Sequence, residues 1–310
     1  MLHQSNLLKN YKLKKMKVAI GIDLGGTNVK GVLMREDGEI LKQHYIPTKD
    51  DADGKWRENV LEMVNFLKDY HSETIHLIGL SAPGLANADN KSIAHLPNRL
   101  FGLENFIWEE YFGTKTLVLN DAHAALMAEA KFGIMQGYKH AVLLTLGTGV
   151  GGGIMINGQL YQGLSQMAGH LGHISLNAND DELSILGMSG SLEYAIGNYS
   201  IERRSMGRFQ STQELVKAYL NNDSFATWLW LDSVRKLAIA IVSLINALSP
   251  EIIVLAGGIT TSGNALFKPL HEFIGLFEFR PKGKITIIKQ AKFADFSGAI
   301  GAAAFMFDKQ

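Results

Sequence analysis

The chain has 310 residues, enough for two domains of ordinary size, and its 46% hydrophobic and 19% charged residues describe a globular protein, not a disordered one. A formal net charge of +0 supplies no global field to draw in nucleic acid or an anionic membrane. Cysteine is absent, which removes disulfides and thiolate zinc sites and suits a reducing, cytoplasmic compartment.

The stretch through Lys17 is basic but lacks the apolar core and cleavage site of a signal peptide. It reads as a disordered extension over residues 1–16, or as an early start with Met16 the true beginning; a nucleic-acid arm is the sharper alternative. Residues 17–23 then form a short β-branched run ending in Gly25-Gly26-Thr27, with further strands over 29–34 and 39–45 joined by the Asp37-Gly38 turn. Trp56, Val60, Met63, Val64 and Leu67 have the spacing of a helix over 55–70. Strands follow at 76–80 and 117–119, and a helix over 122–132 closes at Gly133.

The design then repeats. An apolar strand over 140–146 runs into Gly147-Thr148-Gly149 and a glycine-rich turn, followed by a strand over 152–156, the Asn157-Gly158 turn and a strand over 159–161. The two copies lie about 120 residues apart, which suggests two related lobes facing each other across a cleft. A long helix over 226–248 stops at Pro250, a strand over 251–255 enters Gly257-Gly258, and 297–307 forms a helix with a close-packed face of Gly298, Gly301, Ala302 and Ala303. The best apolar run, 237–248, falls short of the roughly 18–20 residues that span a bilayer. No Pro/Ser linker separates the halves, so a tight hinge is expected near Asp121–Ala122. That gives one lobe of 17–121 plus 297–310 and a second of 122–296.

Five motifs carry chemistry. In Asp23-Leu24-Gly25-Gly26-Thr27 the glycines let backbone approach a phosphate, the Thr hydroxyl can bond it, and Asp23 can hold Mg²⁺ through water; a plain hairpin turn is the structural alternative. Gly147, Gly149, Gly151, Gly152 and Gly153 cost backbone entropy unless something approaches closely, yet no Gly-Lys-Ser/Thr of a Walker loop follows. Asn120-Asp121 at a strand-to-helix junction is either a helix cap or a general base. His170 and His173, in Gly169-His170-Leu171-Gly172-His173, could bond sugar hydroxyls, join a metal site that lacks further obvious ligands, or be satisfied within a loop. Gly257-Gly258 after a strand can leave room for a base and ribose.

Taken together and in this order, these motifs resemble the ROK family (repressors, open reading frames and kinases) over nearly all of the chain after Met16. Asp23–Thr27 and Gly147–Gly153 look like its two phosphate motifs, Asn120-Asp121-Ala122 like its catalytic block, and the 248–254 segment with Gly257-Gly258 like its adenosine-side motif. The resemblance implies an α/β, two-lobed actin/hexokinase-like (ribonuclease H-like) ATPase fold with a duplicated core. It further implies an enzyme, an ATP-dependent kinase acting with Mg²⁺, usually a homodimer, on the 6-hydroxyl of a hexose or N-acetylhexosamine. Asp121 would be the catalytic base, and Asn120, Asp121, His173 and Glu193 would contact the sugar.

The departures are specific. His170 stands where the family has a sugar-binding Glu, and His95 where an Asn commonly meets the sugar. The family's zinc loop reads Ser184-Ile185-Leu186-Gly187-Met188-Ser189-Gly190-Ser191-Leu192-Glu193, with every thiol replaced. No structural zinc is expected, and Leu183, Ile185, Leu186 and Leu192 are expected to hold this loop by packing. Two rival functions remain: a sugar-sensing regulator, disfavoured by the short stretch before Asp23, and a non-catalytic sugar binder.

Overall fold

The computed structural model describes residues 16–309 apart from 49, 51, 52 and 98, so the proposed extension lies almost wholly outside the described residues. Strands β1 (Val18–Leu24), β2 (Asn28–Arg35), β3 (Ile40–Pro47), β4 (Ile78–Ala82) and β7 (Thr116–Asn120) form one sheet in the order β3-β2-β1-β4-β7. The second sheet, of β8 (Ala141–Leu146), β9 (Val150–Ile156), β10 (Gln159–Tyr161), β11 (Ile252–Ala256) and β12 (Ile287–Gln290), runs β10-β9-β8-β11-β12. In each, an antiparallel meander is continued by parallel strands, so the duplicated core expected from the sequence is present. A small hairpin, β5 (Leu85–Ala86) with β6 (Ile93–His95), rises from the end of β4.

Burial explains the strand sequences. Edge strand β3 alternates between exposed and half-buried positions, whereas β4 and β11 are buried throughout and read as continuous apolar runs. Helix α1 (Trp56–Asp69) lays Trp56, Val60, Met63, Val64 and Leu67 on the outer face of the first sheet. Short α2 (Trp108–Phe112) adds Trp108 to that core.

Two helices fill the space between the sheets. On the second sheet's side lies α3 (Asp121–Phe132), and α9 (Ser297–Asp308) lies on the first. The expected small-residue face of α9 is found: a Cβ on Gly21 or Gly79 would strike the carbonyls of Ala299 or Ala302, and one on Gly301 would strike Ala124. Helices α4 (Leu192–Ile196), α5 (Ile201–Arg204), α6 (Thr212–Leu220), α7 (Ser224–Leu248) and α8 (Asn264–Phe277) build the outer layer of the second half. Among the described residues, no helix is long and apolar enough to cross a membrane.

Candidate active site

Both glycine turns occupy equivalent places, between the first two strands of each sheet. In the first, Asp23 sits at the end of β1, half-buried, in register with Ser81 on β4, whose hydroxyl donates to Asp23 Oδ1 at 2.7 Å. Gly25, Gly26 and Thr27 close the hairpin to β2, and Thr48 braces it: its Oγ1 donates to the Gly25 carbonyl at 2.7 Å and its N–H to the Thr27 carbonyl at 2.8 Å. Burial pushes the Asp23 carboxyl up to about 6; the Ser81 hydroxyl opposes this, and the Asp121 charge reinforces it. The two carboxylates are thus close enough for one charge to act on the other.

Of the pair at this junction, Asn120 takes the capping role. Asn120, buried at the end of β7, caps α3: its Oδ1 accepts from the N–H groups of Ala122 at 3.0 Å and His123 at 3.4 Å, and its Nδ2 donates to the Gly84 carbonyl at 2.8 Å. Asp121 lies in the first turn of α3 with a solvent-reached side chain, and its Oδ1 shares the Ala122 N–H at 2.8 Å. The protein enclosing it still raises its carboxyl, offset by the Ala122 N–H, Asn120 and the Arg99 charge. His95, on β6, is paired with Leu85 beside Gly84; its ring is mostly exposed and lies 3.5 Å from Glu104 Oε1.

The second turn differs from expectation. Gly151 belongs to β9, not to the turn, and joins Gly152 and Gly153 in the strand expected for them; protein is what approaches all three. A Cβ there would meet Thr145 and Ala122, the Leu143 and Gly169 carbonyls, or Leu126. These glycines let β9 press against α3, which brings Asp121 beside the second sheet. The turn proper is Gly147–Gly149, held by Asn198 N–H to the Gly147 carbonyl and Tyr199 N–H to the Thr148 carbonyl, each 3.0 Å. A Cβ on Gly147 or Gly258 would meet nothing within 4 Å, so both border open space. Gly257, with φ 89°, packs its Cα against the Leu146 backbone, joining the end of β11 to this turn.

His123 on α3, His170 and His173 form a row, with ring centroids 5.9 and 6.3 Å apart. His123 Nε2 bonds the Ala168 carbonyl at 2.8 Å, but His123 Nδ1, His170 Nε2 and His173 Nδ1 are buried without protein partners. Burial, aided by the two neighbouring imidazoles, holds His170 down to about 4, so it is neutral at pH 7. Among the described residues no group of three or more His, Cys, Asp or Glu side chains is arranged to hold a metal ion.

Glu193 is buried in α4, and both of its oxygens accept backbone N–H groups: Val150 at 3.1 Å and Ile185 at 3.2 Å. The geometry makes it a brace between the second glycine turn and the 183–191 loop, with one acceptor position still open on each oxygen. That loop corrects a further expectation. Leu192 is fully buried, but Leu183, Ile185 and Leu186 are each more than half exposed. The loop turns its backbone inward and is held by hydrogen bonds, including Ser184 N–H to the Met188 carbonyl at 2.8 Å and Met188 N–H to Ser184 Oγ at 3.0 Å. Ser191 caps α4 through the Tyr194 N–H at 3.1 Å.

Residues 19–309 match the model described as the ROK family. The chain belongs to the ROK family. Within it, the chain is 32% identical to a glucokinase of Halalkalibacterium halodurans, over 91% of this chain and 92% of the relative. It is 30% identical to an N-acetyl-D-glucosamine kinase of Haemophilus influenzae, over 93% and 99%. A ROK hexokinase of Thermus thermophilus superimposes with a TM-score of 0.81 at 27% identity, covering 94% of this chain and 98% of that one. The fold is the two-lobed hexokinase-like architecture. Three neighbours of the ROK motifs went unassigned in the sequence. His123 directly follows the Asn120 block and Ser81 is set by strand register, while Arg99 belongs to no motif at all.

Proposed function

We propose that this chain is an ATP-dependent sugar kinase that phosphorylates a hexose or N-acetylhexosamine, at the 6-hydroxyl, with Asp121 as general base. The observation that carries the reading is at the head of α3: Asn120 caps the helix, so Asp121, though its Oδ1 shares the Ala122 N–H at 2.8 Å, presents a solvent-reached carboxylate for chemistry. Relatives of similar length named glucokinase and N-acetyl-D-glucosamine kinase support this substrate class.

In this account Gly25, Gly26 and Thr27 on one side and Gly147, Thr148 and Gly149 on the other line the phosphates, and Gly257 and Gly258 leave space for adenosine. The open space at Gly147 and Gly258 supports that placement. Asp23 fits a hard divalent cation: its Oδ1 is held by Ser81, and burial makes its charge costly until a cation offsets it. Bound Mg²⁺ supplies neutralisation of phosphate charge. Asp121 takes the proton of the sugar hydroxyl, a role worth roughly 10²–10⁴-fold. The partnerless His170 and His173 nitrogens are placed to bond sugar hydroxyls, with His95 at the rim. The lobes, 17–121 plus 297–310 and 122–296, close about Asp121–Ala122 and exclude water from the γ-phosphate. A homodimer accords with the family resemblance.

The test is ADP release with ATP, Mg²⁺ and a panel of hexoses and N-acetylhexosamines. Sugar-dependent turnover is expected for at least one of them. Sugars that raise the melting temperature without any turnover would identify a binding protein and sink the kinase reading.

A further inference from the structure

One cation at this site has no part in the account above. Arg99, in the loop between β6 and α2, extends its guanidinium over the first glycine turn: a Cβ built on Gly26 would collide with Arg99 Nη2 and lie 3.4 Å from its Cζ. Gly26 is not in the left-handed φ region, so the arginine, not the backbone, is what excludes a side chain there. The Arg99 charge also reaches Asp121.

The loop is built to hold this position. Leu100, fully buried with φ 46°, donates its N–H to Asp50 Oδ1 at 2.9 Å. The Phe101 carbonyl accepts from Trp56 Nε1 at 3.1 Å, and the Gly102 carbonyl from Arg57 Nη2 at 3.2 Å. Lys30, a second cation whose charge reaches Asp23, is spent on Asp295, bonding its Oδ1 at 2.8 Å and its carbonyl at 2.9 Å. Among the described residues Arg99 has no hydrogen-bond or ion-pair partner. An exposed guanidinium with its fork of donors unspent, carried by an anchored loop over a phosphate-sized turn and near the base, matches the oxygens of a phosphoryl group.

We propose that Arg99 is a catalytic residue whose guanidinium hydrogen-bonds the oxygens of the phosphoryl group in flight. This rests on the kinase reading. As the sugar oxygen bonds the γ-phosphorus, the bond from that phosphorus to the β,γ-bridging oxygen breaks, and ADP leaves with the electron pair. The hydroxyl proton goes to Asp121, and Arg99 neither gives nor takes one. Its positive charge opposes the charge spread over the three equatorial oxygens.

The test compares wild type with Arg99→Ala and, should alanine disturb the loop, Arg99→Gln, each checked for an unchanged melting temperature. Turnover is expected to fall roughly 10²–10³-fold, as for loss of one preorganised donor. Affinity for ADP with aluminium fluoride and sugar, a mimic of the transferring group, should fall by a similar factor, while affinities for ADP alone and sugar alone stay within about threefold. Arg99→Lys should recover only part, since an ammonium lacks the fork. If Arg99 merely tunes Asp121, the variants regain their rate when the pH is changed and bind the mimic normally, which overturns the proposal. Active wild type with variants of equal turnover overturns it alone. Wild type that phosphorylates no sugar overturns the kinase reading as well.

Discussion

Asp23 is held in a place that disfavours its own charge. Between pH 3.8 and about 6 the folded chain keeps a proton on Asp23 that the unfolded chain has released, so this group makes stability fall as pH rises through that window. At neutral pH the ionised carboxylate then costs ~1–3 kcal/mol, the lower end allowing for its partial exposure. Asp23→Asn keeps the oxygen that accepts from Ser81 and removes the charge. The ligand-free variant is expected to melt roughly 2–6 °C higher at pH 7, with little difference at pH 4, and to lose catalysis. Scanning calorimetry at both pH values checks this; an equal or lower melting point at pH 7 contradicts it. Asp23 and Asn120-Asp121 were legible in the sequence because strand ends and helix starts carry fixed residue preferences. Arg99 was not, since its position depends on a loop anchored by Asp50 and Trp56 through contacts 45–50 residues apart. The bracing role of Glu193 was hidden for a related reason: a motif gives its location, not which N–H groups bond its oxygens.

Helix α8 carries Pro269 in its interior, where a proline cannot donate to the carbonyl four residues earlier, that of Ala265. The fully buried Trp230 of α7 supplies the missing donor: its indole N–H bonds the Ala265 carbonyl at 2.8 Å. One proline and one tryptophan thereby lock the two outer helices together. Trp230→Phe is expected to destabilise the chain by about 1–3 kcal/mol, because the carbonyl loses its partner and the smaller ring leaves a void. Urea unfolding measures it, and a change within about 0.5 kcal/mol would show that the bond is dispensable. The same proline obscured α8 in the sequence, where it breaks the helical pattern. Helix α1 was legible from five apolar positions on one face, and both meanders from alternation and turn residues. Glycines 151–153 misled because a strand pressed against a helix and a turn wrapped around phosphate demand the same residue.

At the scale of the molecule, two sheets of identical order are joined through α3 and α9, and the head of α3 is where the covalent path passes from one to the other. The halves meet chiefly along α3 and α9, where Gly301 packs on the Ala124 backbone; further links cross from Lys30 to Asp295 and from Gln166 Nε2 to the Ala88 carbonyl at 3.2 Å. Closing of the lobes on sugar is expected to reduce the radius of gyration measured by solution scattering, and an unchanged value would argue for a rigid site. The duplication was visible in the sequence as a repeated strand-turn-strand pattern, but the packing that brings the two turns together arises only in three dimensions. The most direct measurement is the steady-state kinetics of Asp121→Asn on the best sugar of the panel. Turnover should drop roughly 10²–10⁴-fold while sugar affinity changes far less, because the amide cannot take the hydroxyl proton. A variant turning over at the wild-type rate would show that Asp121 is not the base.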